Sequence, residues 1–157
     1  MTKNDGPVSL ALTRQKLPLY NETGKEALKG AYILKKESKA TPDIILMASG
    51  SEVELIYKAA EELEAKGIAA RVVSVPSMEL FNSQSEDYKE MVLPKAVSKR
   101  LAVEAASSFG WYRYIGLDGD IISLDHFGAS GKAEEIFKEF GFTVENVINK
   151  AIALVNK

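Results

Sequence analysis

Four short stretches carry residue types that can do chemistry. Ser49-Gly50-Ser51-Glu52 stands between an apolar run and a helical pattern. Backbone N–H groups at a helix N-terminus bind anions, so one reading is a phosphate or carboxylate cradle at Ser49, Gly50 and Ser51. The other is a plain glycine turn closed by Ser51 and Glu54, whose S-x-x-E spacing is that of a capping box. No Gly-Lys-Ser/Thr follows, so the turn is not a Walker A loop, and Glu52 repels an anion unless its side chain points away. His126 follows Asp125 just after the last apolar run, where ligands of open α/β sheets gather. Neighbours on extended chain point opposite ways, which favours a surface or interface histidine over an acid–base pair. Ser107 and Ser108 lie beyond Glu104, but no G-x-S-x-G elbow accompanies them, and His126 is the sole histidine that could serve as base. Arg14 follows a short apolar alternation. It has the geometry to grip a phosphate bidentately, or it is a solvated charge on a linker.

The elements that must position these residues alternate in type. Val8–Leu12 alternates as a short strand, and 13–30 is polar, broken by Pro18 and Gly24, and reads as a linker. A domain boundary falls there, dividing 1–30 from 31–157. Ala31–Leu34 is a short strand suited to an antiparallel edge. Ile44–Ala48 is continuously apolar, as expected of a strand covered on both faces. Val53, Ile56, Ala60 and Leu63 share one helical face. Strands follow at 70–75, 99–104 and 121–124. Ser83 and Glu86 offer a second capping box for a helix ending before Pro94, and Gly110–Ile115 reads as a short helix. Ala133, Ile136, Phe137 and Phe140 form a helical face closed by Gly141. Thr143 caps a last helix with Val144, Val147, Ile148, Ala151 and Val155 inward. The alternation predicts a three-layer α/β/α sandwich on a mostly parallel sheet.

Composition excludes several functions. Of 157 residues, 20 are Lys or Arg and 22 Asp or Glu, for a net charge of -2, and that lacks the positive field of a nucleic-acid binder. The aromatics Phe109, Trp111, Tyr112 and Tyr114 come without a basic cluster, so they suit core packing or a protein partner. Zero Cys removes thiol catalysis and Cys-ligated zinc, and a single His cannot build a multi-His metal site. No apolar run approaches the ~20 residues that span a bilayer, and Met1–Pro7 is polar with no apolar stretch of a signal peptide behind it. The expected location is cytoplasmic.

Beyond this, several stretches resemble the C-terminal end of the transketolase family. They are Gly6–Pro18 (with Leu12-Thr-Arg-Gln15), Ala48–Leu55, Arg71–Ser77, Val92–Val97, Val103–Ala105, Phe127–Ser130 and Phe140–Thr143. They cover nearly the whole chain, in order. The resemblance implies a five-stranded mixed sheet, preceded by the last strand of the neighbouring pyrimidine-binding domain. It implies a parent homodimer that transfers a two-carbon ketol unit between sugar phosphates of the pentose phosphate pathway, using thiamine diphosphate and Mg. In such a parent this domain supports the dimer and lies outside the chemistry. Among substrate contacts only Arg14 is implied, as a phosphate ligand whose partners lie in other domains. No residue matches the cofactor-activating Glu, the metal ligands or the catalytic His residues, so the expectation is no catalytic residue, no bound cofactor and no activity in this chain alone. Two other readings stand beside it. One is a separate anion- or nucleotide-binding regulatory module using the Ser49–Glu52 turn, and the other is one subunit of a split thiamine-diphosphate enzyme.

Overall fold

Five consecutive apolar residues leave a strand no face to show to water, and Ile44–Ala48 is the middle strand of the sheet, buried along its whole length. A computed structural model describes residues 6–157. Its elements are β1 (Tyr32–Lys35), β2 (Ile44–Ala48), α1 (Glu52–Ala65), β3 (Ala70–Ser74), α2 (Met78–Asn82), α3 (Glu86–Val92), β4 (Arg100–Glu104), α4 (Tyr112–Ile115), β5 (Asp120–Ser123), α5 (Ala133–Glu139) and α6 (Val144–Val155). Short 3-10 segments stand at Lys25–Lys29 and Ser108–Gly110. The strand order is β1-β3-β2-β4-β5, with β1 antiparallel to β3 and every other pair parallel.

The period of two along each strand divides the core into two layers. Leu46, Val72, Leu101 and Ile122 face α1 and α6, whose inward residues include Ile56, Leu63, Val147 and Leu154. Ile45, Met47, Val73 and Ala102 face the other way, onto Phe81, Val92, Trp111 and Ile115 from α2, α3 and the α4 region. The molecule is therefore a three-layer α/β/α sandwich, as the alternation of elements predicts, built on the five-stranded mixed sheet that the family resemblance implies.

Five local expectations are corrected. Val8–Leu12 forms no strand, because no neighbouring strand is present to take its backbone hydrogen bonds, and its apolar side chains are exposed. Ser51 does not cap α1 with its side chain. Its backbone is already helical, and its hydroxyl turns to Glu52. Ser85, not Ser83, caps α3 by accepting from the Tyr88 N–H, while Ser83 ends the unforeseen α2. The polar stretch 13–30 is not all linker, since Lys25–Lys29 turns in a 3-10 helix. Val144 and Val155 are only half-buried, and Leu154 takes the inward place assigned to Val155. Thr143 does cap α6, accepting from the Asn146 N–H.

Candidate functional site

The connections out of β2 and β3 leave in opposite directions. From β2 the chain crosses through α1 to β3, then returns through α2 and α3 past β2 to β4. That reversal opens a crevice at the carboxyl ends of β2 and β4, the place where open α/β sheets bind ligands. Ser49, Gly50, Ser51 and Glu52 stand at the end of β2, and Glu104 ends β4. The strands hold these ends together, since Ala48 pairs with Val103.

The crevice is occupied by the protein's own acids. Ser49 Oγ donates to Glu104 Oε2 at 2.8 Å, and Ser51 Oγ donates to Glu52 Oε1 at 3.2 Å. Glu52 is 5% exposed, and its Oε2 lies 3.6 Å from where a Cβ on Gly50 would stand. Burial pushes the Glu52 pKa up, and the charge of Glu104 adds to it. The backbone N–H groups of Glu52 and Ala105 and the Ser51 hydroxyl pull the other way without prevailing. The first amide of α1, that of Glu52, thus meets an internal carboxylate. A phosphate placed there meets two glutamates, so the arrangement suits a shared proton or a hydrogen-bond donor far better than an anion.

The other residues singled out by the sequence do not converge on this crevice. Asp125 accepts from Ser108 N at 2.8 Å, Ser107 Oγ at 3.0 Å and Ser123 Oγ at 2.9 Å. Those bonds hold its pKa down at about 2, the Ser108 N–H contributing most. It is a clasp between the loops after β4 and β5, and none of these bonds involves His126. His126 is exposed, with Nδ1 2.8 Å from the Phe127 carbonyl oxygen and its ring edge-on to Phe140. The serines are therefore bound to Asp125, not to a base. The aromatics divide: Trp111 and Tyr114 are core, whereas Phe109 and Tyr112 are exposed. Arg14 is exposed and makes no hydrogen bond or ion pair to another described residue.

Sequence reasoning missed two inward arginines. Arg71 is the second residue of β3 and donates through Nε and Nη2 to Glu37, at 2.8 and 2.5 Å. Arg100 opens β4 and gives its N–H groups to four carbonyls, those of Val97, Tyr114, Leu93 and Pro94. The available signal was a charge inside an apolar strand pattern, which demands a buried partner. Among the described residues no group of three or more His, Asp or Glu is placed to hold a metal ion. No helix there is long and apolar enough to cross a membrane.

Comparison with known proteins adds the following. A family profile described as "Transketolase-like TK C-terminal domain" matches residues 30–143. The chain is 52% identical over 157 residues to a transketolase of Bacillus subtilis, an alignment covering 98% of this chain and 24% of that protein. It superposes on the transketolase of Pichia stipitis, solved in complex with sedoheptulose 7-phosphate, with a TM-score of 0.82 at 46% identity. That match covers 91% of this chain and 20% of the other. A structure described as a split-gene transketolase, inactive β4 tetramer, shares the fold alone, with a TM-score of 0.69 at 17% identity. The chain spans about a quarter of the length of the curated relatives it matches.

Proposed function

The chain belongs to the transketolase family as its C-terminal domain, and from that premise we propose that it serves a ketol transferase as a structural and dimer-supporting domain. The parent enzyme transfers a two-carbon unit between sugar phosphates in the pentose phosphate pathway of the cytoplasm. The observation that carries this reading is the match itself: nearly all of the chain aligns in order with about one quarter of each relative. In this reading residues 1–30 end the preceding domain and form the linker, and 31–157 form the C-terminal domain.

Thiamine diphosphate and Mg belong to the parent's other domains. The described residues do not fit them: the crevice at the switch point presents Glu52 and Glu104 to any diphosphate, and no acidic or histidine cluster among those residues suits a cation. No step of the transfer is assigned to this chain. Arg14 alone reaches toward the chemistry, as a guanidinium that grips a substrate phosphate once the neighbouring domain and the second subunit enclose it.

Two measurements test the reading. An immunoblot of native lysate with an antibody to this domain is expected to show a band several times larger than 17.2 kDa. The purified 157-residue chain, supplied with donor and acceptor sugar phosphates, thiamine diphosphate and Mg, is expected to show no turnover. A band at the size of this chain would favour the split-subunit arrangement, and turnover by the chain alone would sink the proposal.

A further inference from the structure

At the other end of β4 from the crevice, on the α2–α3–α4 side of the sheet, lies a pocket of about 330 Å³. That volume is at the small end of the ~300–1,000 Å³ found for small-molecule sites. Lys89, Lys95, Arg100 and Arg113 line it, against Glu86 and Glu90. The two acids are partnered within the lining: Glu86 pairs with Lys89 at 2.9 Å and feels the charges of Lys95 and Arg113, and Glu90 accepts from the Lys95 backbone N–H at 3.0 Å. The Arg100 guanidinium is half-buried, and burial presses down on its pKa. Four of its five N–H groups go to neutral carbonyls, which satisfy its hydrogen bonds, and the one carboxylate whose charge acts on it is Glu90, across the pocket and without a direct bond. The buried Arg71 differs in having its own carboxylate, Glu37. Lys95 and Arg113 act on Glu86 by charge, with no close ion pair to it. Beside them Tyr114 Oη donates to Asn82 Oδ1 at 2.8 Å, which sets the amide so that its Nδ2 is left to donate elsewhere.

We propose that this pocket binds a phosphate monoester. Its head, with charge of about −1.5 to −2 at neutral pH, offsets the excess of four cationic over two acidic side chains in the lining and accepts hydrogen bonds from Arg113, Lys95 and Asn82. Its organic body rests on the Phe81 and Tyr114 side of the pocket. The site is independent of the transferase reading, since it uses neither the crevice nor Arg14.

The test is calorimetric titration of the 157-residue chain with phenyl phosphate at low salt, with inorganic phosphate and phenol as part-molecules. AMP and glucose 6-phosphate serve as two natural bodies for the same head. Phenyl phosphate is expected to bind saturably at one site. The Lys95→Ala/Arg113→Ala variant is expected to bind at least tenfold more weakly, and the charge-keeping Lys95→Arg/Arg113→Lys variant to stay within about threefold. The Lys132→Ala/Lys138→Ala variant, which removes equal charge from α5 and its cap, is expected to match the parent. AMP binding more tightly than glucose 6-phosphate identifies a flat body, and the reverse a polar one. Absence of saturable binding, an unchanged affinity in the first variant, or an equal loss in the α5 variant would each overturn the proposal.

Discussion

Glu37 and Arg71 join the segment after β1 to the start of β3, and both side chains are almost wholly shielded from water. Burial alone works to raise the Glu37 pKa. The hydrogen bond and charge of Arg71, with the Glu37 N–H and Lys36, outweigh it and hold the carboxyl below its ordinary value. The stabilisation is therefore complete above the unfolded-state pKa near 4.5 and is lost as pH falls through the lower folded value. Glu52 has the opposite sign. Its raised pKa means the folded state holds the proton more tightly, so its penalty is absent in acid and grows as pH rises from about 4.5 through the raised value. Denaturant titrations at several pH values check both at once. Glu37→Gln is expected to cost about 3 kcal/mol or more at pH 7, because Arg71 keeps a buried charge without its partner, and the gap from the parent should close in acid. Glu52→Gln is expected to be more stable than the parent at pH 7 and to converge with it in acid. A Glu52→Gln chain that is less stable at pH 7 would mean that the carboxylate's accepted hydrogen bonds outweigh its burial and Glu104. Neither pair was legible in the sequence. Glu37 lies in a turn region, and the 34 residues to Arg71 meet only because β1 and β3 pair.

At the scale of elements, what the sequence displayed well was apolar period. The face of Val53, Ile56, Ala60 and Leu63 is buried as a stripe, and Ile44–Ala48 is covered on both sides. Caps were less legible, because two serines two residues apart both precede a helix-forming run, and only the tertiary path selects Ser85 for α3 and leaves Ser83 to end α2. The candidate crevice was visible as a turn, but its electrostatics were not, since Glu104 arrives from 55 residues away. Gly30 was another silent position. It has φ +88°, and an added Cβ would stand 2.3 Å from Phe81 N and 2.4 Å from Ser77 O, both backbone atoms. Its carbonyl accepts from Ser77 N at 3.0 Å, so the chain before β1 and the start of α2 touch backbone to backbone. Gly30→Ala is expected to cost on the order of 3–5 kcal/mol, combining left-handed strain with a clash that no rotamer relieves. Gly67→Ala has the same strain, at φ +81°, in open space, so about 1–2 kcal/mol is expected. Equal losses from the two variants would show that the close approach to α2 contributes nothing.

At the scale of the whole molecule, the question is where the stable unit begins. From residue 6 to Leu19 the chain is exposed throughout, with Val8, Leu10, Leu12 and Leu19 showing apolar surface. The hydrogen bond recorded within it, Gln15 N to Thr13 Oγ1, is local. From Tyr20 onward the character changes. The Tyr20 and Tyr57 rings stand 4.6 Å apart, Thr23 Oγ1 lies 3.3 Å from the Tyr32 hydroxyl, and burial pushes the Tyr20 pKa up to about 12. The linker residues are thus fastened to α1 and β1, while the stretch before them contributes apolar surface to no described contact. Exposed apolar surface of this kind is what a segment shows when its partner lies in another domain, consistent with the proposed place of 1–19 in a neighbouring sheet. Deleting residues 1–19 is therefore expected to leave the melting temperature within about 2 °C and to lessen self-association, because fewer unpaired backbone groups and apolar side chains are offered to other chains. Deleting 1–30 removes the Tyr20 stack, the Thr23 contact and the Gly30 carbonyl that receives Ser77, so melting is expected to fall by several degrees. Calorimetry of the two truncations beside the parent decides between them. If the shorter deletion costs as much as the longer, residues 1–19 are bound to the body, and the segment belongs to this domain instead of its neighbour.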